Sequence, residues 1–181
     1  LEDETLLLIL DMQEKLISNI KGNQKLIFNI RKLIDACNLL KVRIAVTEQN
    51  PIKLGKTLES ISESNEYPKF EKMEFSCTKN QKFIDYIKRY NFKNIIICGI
   101  ESHICILQTS VELLENGFNI LIPRDAIGSR NELDNDTAFI RLVLSGAIAS
   151  TTESLICELC KTYSRKEFKE ISKILKNSFS N

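Results

Sequence analysis

Short apolar runs alternate with longer amphipathic stretches along the whole chain. Thr5 to Leu10 (TLLLIL) holds five consecutive apolar residues and predicts a first strand buried on both faces. From about Lys25 to Leu40, apolar Leu26, Ile27, Ile30, Leu33, Ile34 and Cys37 recur at helical spacing. Val42 to Val46 predicts a second strand, followed by a loop containing Pro51, Gly55 and Pro68. A short strand is expected near Lys69 to Phe75, and a helix over Gln81 to Tyr90 with Phe83, Ile84 and Ile87 on one face. Ile95 to Cys98 predicts a central strand that breaks at Gly99. After a polar turn, Cys105, Ile106, Leu107, Val111, Leu113 and Leu114 give a helix stopping at Gly117. Phe118 to Ile122 and Ala147 to Ala149 predict two more strands around a helix over Leu133 to Leu144. Ser150 and Glu153 have the spacing of a capping box opening a further helix, and Arg165 to Leu175 predicts the last one.

Strands apolar on both faces, alternating with helices, predict an α/β fold with a parallel sheet covered on two sides. The expected architecture is three-layer α/β/α, with a mostly parallel, roughly six-stranded, Rossmann-like sheet. Neither linker nor internal repeat interrupts residues 1–181, so a single domain is expected. Strand order is not legible from this pattern.

Charge narrows the partners. Twenty-five basic and 24 acidic residues leave a net charge of +1, with no long block of one sign. Neither a nucleic-acid stripe nor an anionic-membrane surface is expected, and the apolar runs fall short of the ~20 residues needed to span a bilayer. No Arg-rich presequence or signal peptide is visible, and a chain beginning at Leu1 is expected to lack its natural N-terminus. Of six cysteines, Cys37, Cys157 and Cys160 fall in helical patterns and Cys98 in a strand, which favours free thiols in a reducing cytosol over disulfides.

The same pattern places the candidate chemistry. In a parallel sheet the polar residues just past the strands' carboxyl ends converge on one edge, where ligands bind. Asp11 follows TLLLIL, Glu48 follows IAVT, and the turn Glu101 to Cys105 follows IIIC. Cys105 would lie in the first turn of a helix, where unsatisfied backbone N–H groups favour a thiolate. Asp11 has two readings: a base accepting the thiol proton, or a cap on the following segment. His103 is the chain's one histidine, and two residues from Cys105 it points elsewhere, so a papain-like Cys–His pair is not expected. A lone histidine also argues against a zinc or iron site, and no metal or other cofactor is expected. Cys157-x-x-Cys160 has redox spacing but sits inside a helical pattern, and a pair of core cysteines is expected there. No GxGxxG or P-loop sequence is present, which disfavours dinucleotide or nucleotide phosphates.

Taken in order, LLLILDMQ, YPKFEKMEFS, CGIESHICIL, IPRDAIGSR and SGAIASTTES resemble the landmarks of isochorismatase-like cysteine hydrolases. The resemblance covers nearly the whole chain. It implies the isochorismatase-like hydrolase fold, with Cys105 as nucleophile, Asp11 as its base and Lys72 as the cation beside the thiolate. It implies a cis peptide between Ile100 and Glu101, aiming the N–H groups of Glu101 and Cys105 at an oxyanion. Glu48, Gln49 and Asn50 would lie on the pocket rim, and Phe75 has two readings, an apolar pocket wall or core packing. His103 is expected first as a partly exposed turn residue, with contact to substrate the alternative. Nicotinamidases of this family carry an Asp-x-His metal site where this chain reads TEQNPIKLG. True isochorismate hydrolases lack the cysteine, so a metal-free subgroup is the better match. The implied activity is cleavage of a carbon–nitrogen bond (amide, carbamoyl or imide) in a small molecule, by a cytoplasmic homo-oligomer. Two competing expectations remain: a non-catalytic oligomeric binding or scaffold protein of the same fold, and a thiol redox protein using Cys157 and Cys160.

Overall fold

The computed structural model describes residues 4–62 and 67–179. Its strands are β1 (Thr5–Leu10), β2 (Arg43–Gln49), β3 (Lys69–Lys72), β4 (Asn94–Ile100), β5 (Asn119–Pro123), β6 (Ile127–Gly128) and β7 (Ile148–Ser150). The helices of two turns or more are α1 (Asn23–Leu39), α2 (Gln81–Arg89), α3 (Leu107–Glu115), α4 (Glu132–Leu144), α5 (Thr152–Cys160) and α6 (Phe168–Lys176). The strands pair in the order β3-β2-β1-β4-β5-β7, with the two-residue β6 added beside the end of β4, and every pair is parallel. The chain runs outward from β1 through β2 to β3, then returns to lay β4 on the other side of β1. The β1/β4 crevice is therefore the topological switch point, where an open α/β sheet leaves room for a ligand.

The two faces follow from the period of two. Leu7, Ile9, Ile44, Val46, Ile96 and Cys98 face α1, α5 and α6 in one core. Leu6, Leu8, Leu10, Ala45, Ile95 and Ile97 face α2, α3 and α4 in the other. This is why the central strands read as unbroken apolar runs. Burying each such side chain stabilises the fold by about 1.5–3 kcal/mol.

Most predicted elements appear close to their expected bounds. Strand β2 runs on to Gln49 because Glu48 and Gln49 are buried and pair with β3. The helix expected to start at Cys105 is preceded by a π-helical turn, Ser102–Ile106, so Cys105 lies within that turn rather than in α3. Thr151, not Ser150, caps α5, accepting from the Ser154 amide. At the end of α3, Gly117 adopts φ +86°, and its N–H and that of Phe118 bond to the Leu114 and Leu113 carbonyls, a Schellman closure. Of the paired cysteines on α5, Cys160 is buried but Cys157 is exposed, because residues three apart near a helix end straddle the boundary of the core. Among the described residues, no helix is long and apolar enough to cross a membrane.

One glycine sets the packing at the switch point. Gly99 has φ +115°, and a Cβ there would lie 2.1 Å from the Leu10 carbonyl oxygen. Gly22 also has a positive φ (+68°) but nothing within 4 Å of an added Cβ. Gly99→Ala is therefore expected to lower the unfolding free energy by about 3 kcal/mol or more in urea titrations, against about 1 kcal/mol for Gly22→Ala.

Buried thiols add a pH dependence. Burial pushes Cys37 and Cys77 up to about 12. They stay protonated in the folded chain at pH values where the unfolded chain's thiols ionise, so their contribution is intact below about pH 9 and is lost as pH rises toward 12. Each should steepen the alkaline fall in unfolding free energy by about 1.4 kcal/mol per pH unit. Urea titrations across that range should show a shallower fall for the Cys37→Ala/Cys77→Ala double variant, whatever its overall stability.

Candidate active site

Three strand ends bring three side chains together. Asp11 follows β1, Lys72 closes β3 and Cys105 lies in the turn after β4; all three are buried. Lys72 Nζ donates to Asp11 Oδ2 at 2.7 Å, to Gln49 Oε1 at 2.6 Å and to Cys105 Sγ at 3.4 Å. An ammonium has three protons, and here each has an acceptor. Strand alternation explains the set. Gln49 is the β2 partner of Lys72, while Thr47, two residues earlier on the same face of β2, donates to the other Asp11 oxygen at 2.6 Å.

Asp11 is not a helix cap. The single-turn helix Glu14–Ile17 is preceded by Gln13, and Asp11 itself takes a left-handed conformation, φ +53°. With its amide bonded to the Thr47 carbonyl, its carboxylate turns toward Lys72 instead of the following turn. The capping alternative is thereby removed.

Cys105 is not held as a thiolate. Burial pushes the thiol up, the Asp11 carboxylate adds to the rise, and the Lys72 ammonium only partly opposes it. The expectation of a helix-stabilised thiolate therefore reverses. Desolvation outweighs the partial charge of a helix terminus, and Asp11 and Lys72 together bring no net charge. The peptide between Ile100 and Glu101 is cis. In the turn that follows, the Glu101 carbonyl accepts from the Ile104 and Ile106 amides. The Glu101 carboxylate accepts from the Arg130 backbone N–H at 3.0 Å and its Nε at 3.1 Å, tying the turn to the IPRDAIGSR segment.

The remaining predicted residues divide. Gln49 joins the set directly, with its Oε1 3.9 Å from Cys105 Sγ. Glu48 points the other way, its carboxylate accepting from Thr57 N–H and Oγ1 at 2.8 and 2.7 Å. Asn50 is partly buried and bonds through its backbone to the Lys72 carbonyl. Phe75 is half-exposed. His103 Nδ1 sits 2.9 Å from Ser129 Oγ, and its ring lines a separate cavity of about 430 Å³ with Arg141 and Glu115. A groove of about 760 Å³ along the outer side of β3 takes in Lys72 and Met73 but neither Asp11 nor Cys105.

Several supporting residues were not singled out from the sequence. Gln13 bonds both backbone groups of Gln49, donating to its carbonyl at 3.0 Å and accepting from its amide at 2.7 Å. Gln49 Nε2 donates to the Met73 carbonyl at 2.7 Å, joining the end of β2 to the segment after Lys72. Glu112 on α3 accepts from Ser76 and Thr78 and pairs with Lys79, anchoring that segment. Asp125 caps α5 through the Thr152 amide and hydroxyl, at 2.8 and 3.0 Å. The only signal for Gln13 and Thr47 was adjacency to Asp11 and Glu48 at strand ends.

The isochorismatase-domain family model matches residues 5–154. The chain belongs to the isochorismatase family. Among the similar relatives of this family member is Isochorismatase family protein 1B of Dictyostelium discoideum, 37% identical over 176 residues, covering 94% of this chain and 85% of the relative. Human Isochorismatase domain-containing protein 2 is 32% identical over 176 residues, covering 97% of this chain and 85% of that protein. A solved structure described as MAR1 ribonuclease from Caenorhabditis elegans superposes with a TM-score of 0.93 at 36% identity, covering 99% of this chain and 93% of the other. Family membership supports a hydrolytic function.

The charge arrangement makes opposite predictions for two substitutions. Asp11→Asn removes the carboxylate that raises the Cys105 thiol and leaves Lys72 facing it, so the thiol should titrate at lower pH. Lys72→Met should move it higher. Thiolate absorbance near 240 nm, taken as the difference from Cys105→Ala, checks both. A wild-type Cys105 already ionised at neutral pH would overturn the assignment.

Proposed function

We propose that the chain is a cysteine hydrolase of a carbon–nitrogen bond in a small molecule, using Asp11, Lys72 and Cys105. The observation that carries the reading is the Lys72 ammonium, shared between the Asp11 carboxylate and the Cys105 sulfur within one buried cluster. In this mechanism Asp11 removes the thiol proton as Cys105 Sγ attacks the carbonyl carbon. The carbonyl oxygen becomes an oxyanion, stabilised by the backbone N–H groups of Glu101 and Cys105. Collapse of the tetrahedral intermediate breaks the carbon–nitrogen bond, and the nitrogen leaves with the proton held by Asp11. Water then attacks the thioester, Asp11 takes its proton and returns it to the departing Cys105 sulfur, and the acid is released with the thiol restored. Lys72 stays charged throughout, offsetting first the thiolate and then the oxyanion. Gln49 and Phe75 border the substrate.

A thiol that is protonated at rest suits this reading, because the base is needed only as the bond forms. Ribonuclease activity, suggested by the name of the C. elegans protein, is less well supported. RNA binding draws on a surplus of positive charge, and this chain carries 25 basic residues against 24 acidic. Cys105, Asp11 and Lys72 are also buried too deeply for a polynucleotide backbone to reach them.

The test incubates the protein with a panel of small amides, carbamoyl compounds and imides, following product release and intact mass. A turned-over compound should leave an acyl adduct that is absent in Cys105→Ala. Asp11→Asn should lower kcat by about 1,000-fold or more, and Lys72→Met by about 100-fold or more. Hydrolysis that survives in Cys105→Ala, or cleavage confined to RNA, would sink the proposal. No turnover and no adduct across the panel would favour the scaffold reading.

A further inference from the structure

Three consecutive residues of the nucleophile turn are each tied to the segment that runs from β5 into α4. Arg130 holds Glu101, and Ser129 Oγ lies 2.9 Å from His103 Nδ1. Between them Ser102, fully buried, bonds Asn135 on α4 at 2.7 Å. Ser102 matters most for the thiol. Its carbonyl accepts from the N–H of Leu107, the first residue of α3, and so closes the π-helical turn that contains Cys105. A π-turn closes its hydrogen bond over five residues rather than four, and such turns recur at functional sites. What holds Ser102 therefore holds one end of the loop that carries the nucleophile.

The Asn135 amide joins Ser102 to a cation. Arg124, the residue after β5, approaches the amide from its other side, and a guanidinium can only donate. An amide nitrogen turned toward Arg124 would set donor against donor, so the oxygen faces Arg124 and the nitrogen faces Ser102. So placed, Asn135 accepts from Arg124 Nη1 and Nη2 at 2.7 and 3.3 Å and donates to Ser102 Oγ at 2.7 Å. Arg124 also pairs with Asp136 and lies 5.2 Å over the Phe139 ring, which fixes its head at two further positions on α4. A strut thus runs from the end of β5 through Arg124 and Asn135 to Ser102, three residues before Cys105. We propose that Arg124 and Asn135 are positioning residues for the nucleophile, holding Cys105 in its attacking position through Ser102. The proposal rests on the cysteine-hydrolase reading and adds two residues that act at one remove from the thiol.

Kinetics on a compound that the wild type turns over, together with amide exchange, test this. Asn135→Leu nearly keeps the side chain's shape but breaks both bonds. It should lower kcat by about tenfold or more and change KM by less than about twofold. Asn135→Asp should restore most of the rate, since a carboxylate accepts from Arg124 and from a Ser102 hydroxyl that rotates to meet it. Arg124→Gln should lower kcat in the wild-type background but not further in Asn135→Leu, because Arg124 reaches the turn only through that amide. A merely structural role for Arg124 would lower it equally in both. Exchange of the Ile104 and Ile106 amides, followed by NMR, reads the turn without any substrate. It should quicken by about tenfold or more in Asn135→Leu, with β1 and β4 unchanged. A wild type that turns over no compound removes the hydrolase reading, and the exchange rates then decide by themselves whether Asn135 holds the turn. Unchanged exchange in Asn135→Leu, a loss confined to KM, no rescue by Asn135→Asp, or additive losses in the double variant would each overturn the proposal.

Discussion

The buried ion pair between Asp11 and Lys72, 2.7 Å long with both side chains fully enclosed, is the constraint on which the rest of the site depends. Taking two charges out of water costs more than their attraction returns unless every remaining lone pair and proton is satisfied. Here they are satisfied from the sheet itself. Thr47 covers one Asp11 oxygen, Gln49 takes a Lys72 proton, and Gln13 fixes Gln49 through both of its backbone groups. Removing one partner of such a pair strands a charge and typically costs about 3–5 kcal/mol. A pair of apolar side chains would hold the fold as well or better, so the pair's value lies in keeping a carboxylate and an ammonium beside Cys105.

The position of that pair follows from topology. Parallel strands aim all their carboxyl ends the same way, and the reversal of winding between β1 and β4 opens a crevice between them. Asp11 and Cys105 stand on its two sides, and Gly99 lets the strands approach closely enough for the thiol to reach the carboxylate's field. The register Leu10–Gly99 on one side and Leu10–Thr47 on the other sets three strand ends level.

Much of this was legible from residue order. Five consecutive apolar residues before Asp11 and four before Gly99 could only be strands buried on both faces, and the acid and the thiol had to emerge at their ends. Lys72 was not legible in the same way. KFEK alternates charge and apolarity like any edge strand, and only the family resemblance marked its last lysine as different from the first. The reason is packing: Lys72 faces the sheet interior at the strand's end, whereas Lys69 stays in solvent. The thiol's protonation state was misread because helix-terminus electrostatics are local and modest, whereas desolvation grows with burial, and burial is not written in the residues around Cys105. Gln13 escaped notice because a glutamine bonding another residue's backbone has no spacing to betray it. Glu48 was placed on the rim by its position after IAVT, but strand alternation turns it away from the face that Thr47 and Gln49 share.

Helix α4 connects this buried chemistry to the surface. Its Asn135 holds Ser102, and its Asp134 lies 3.9 Å from the His103 imidazole, so the turn bearing Cys105 rests on one side of a rigid helix whose other side is bare. The tetrahedral chemistry proposed for Cys105 needs backbone amides fixed to within a fraction of an ångström, and a turn is only as fixed as what it leans on.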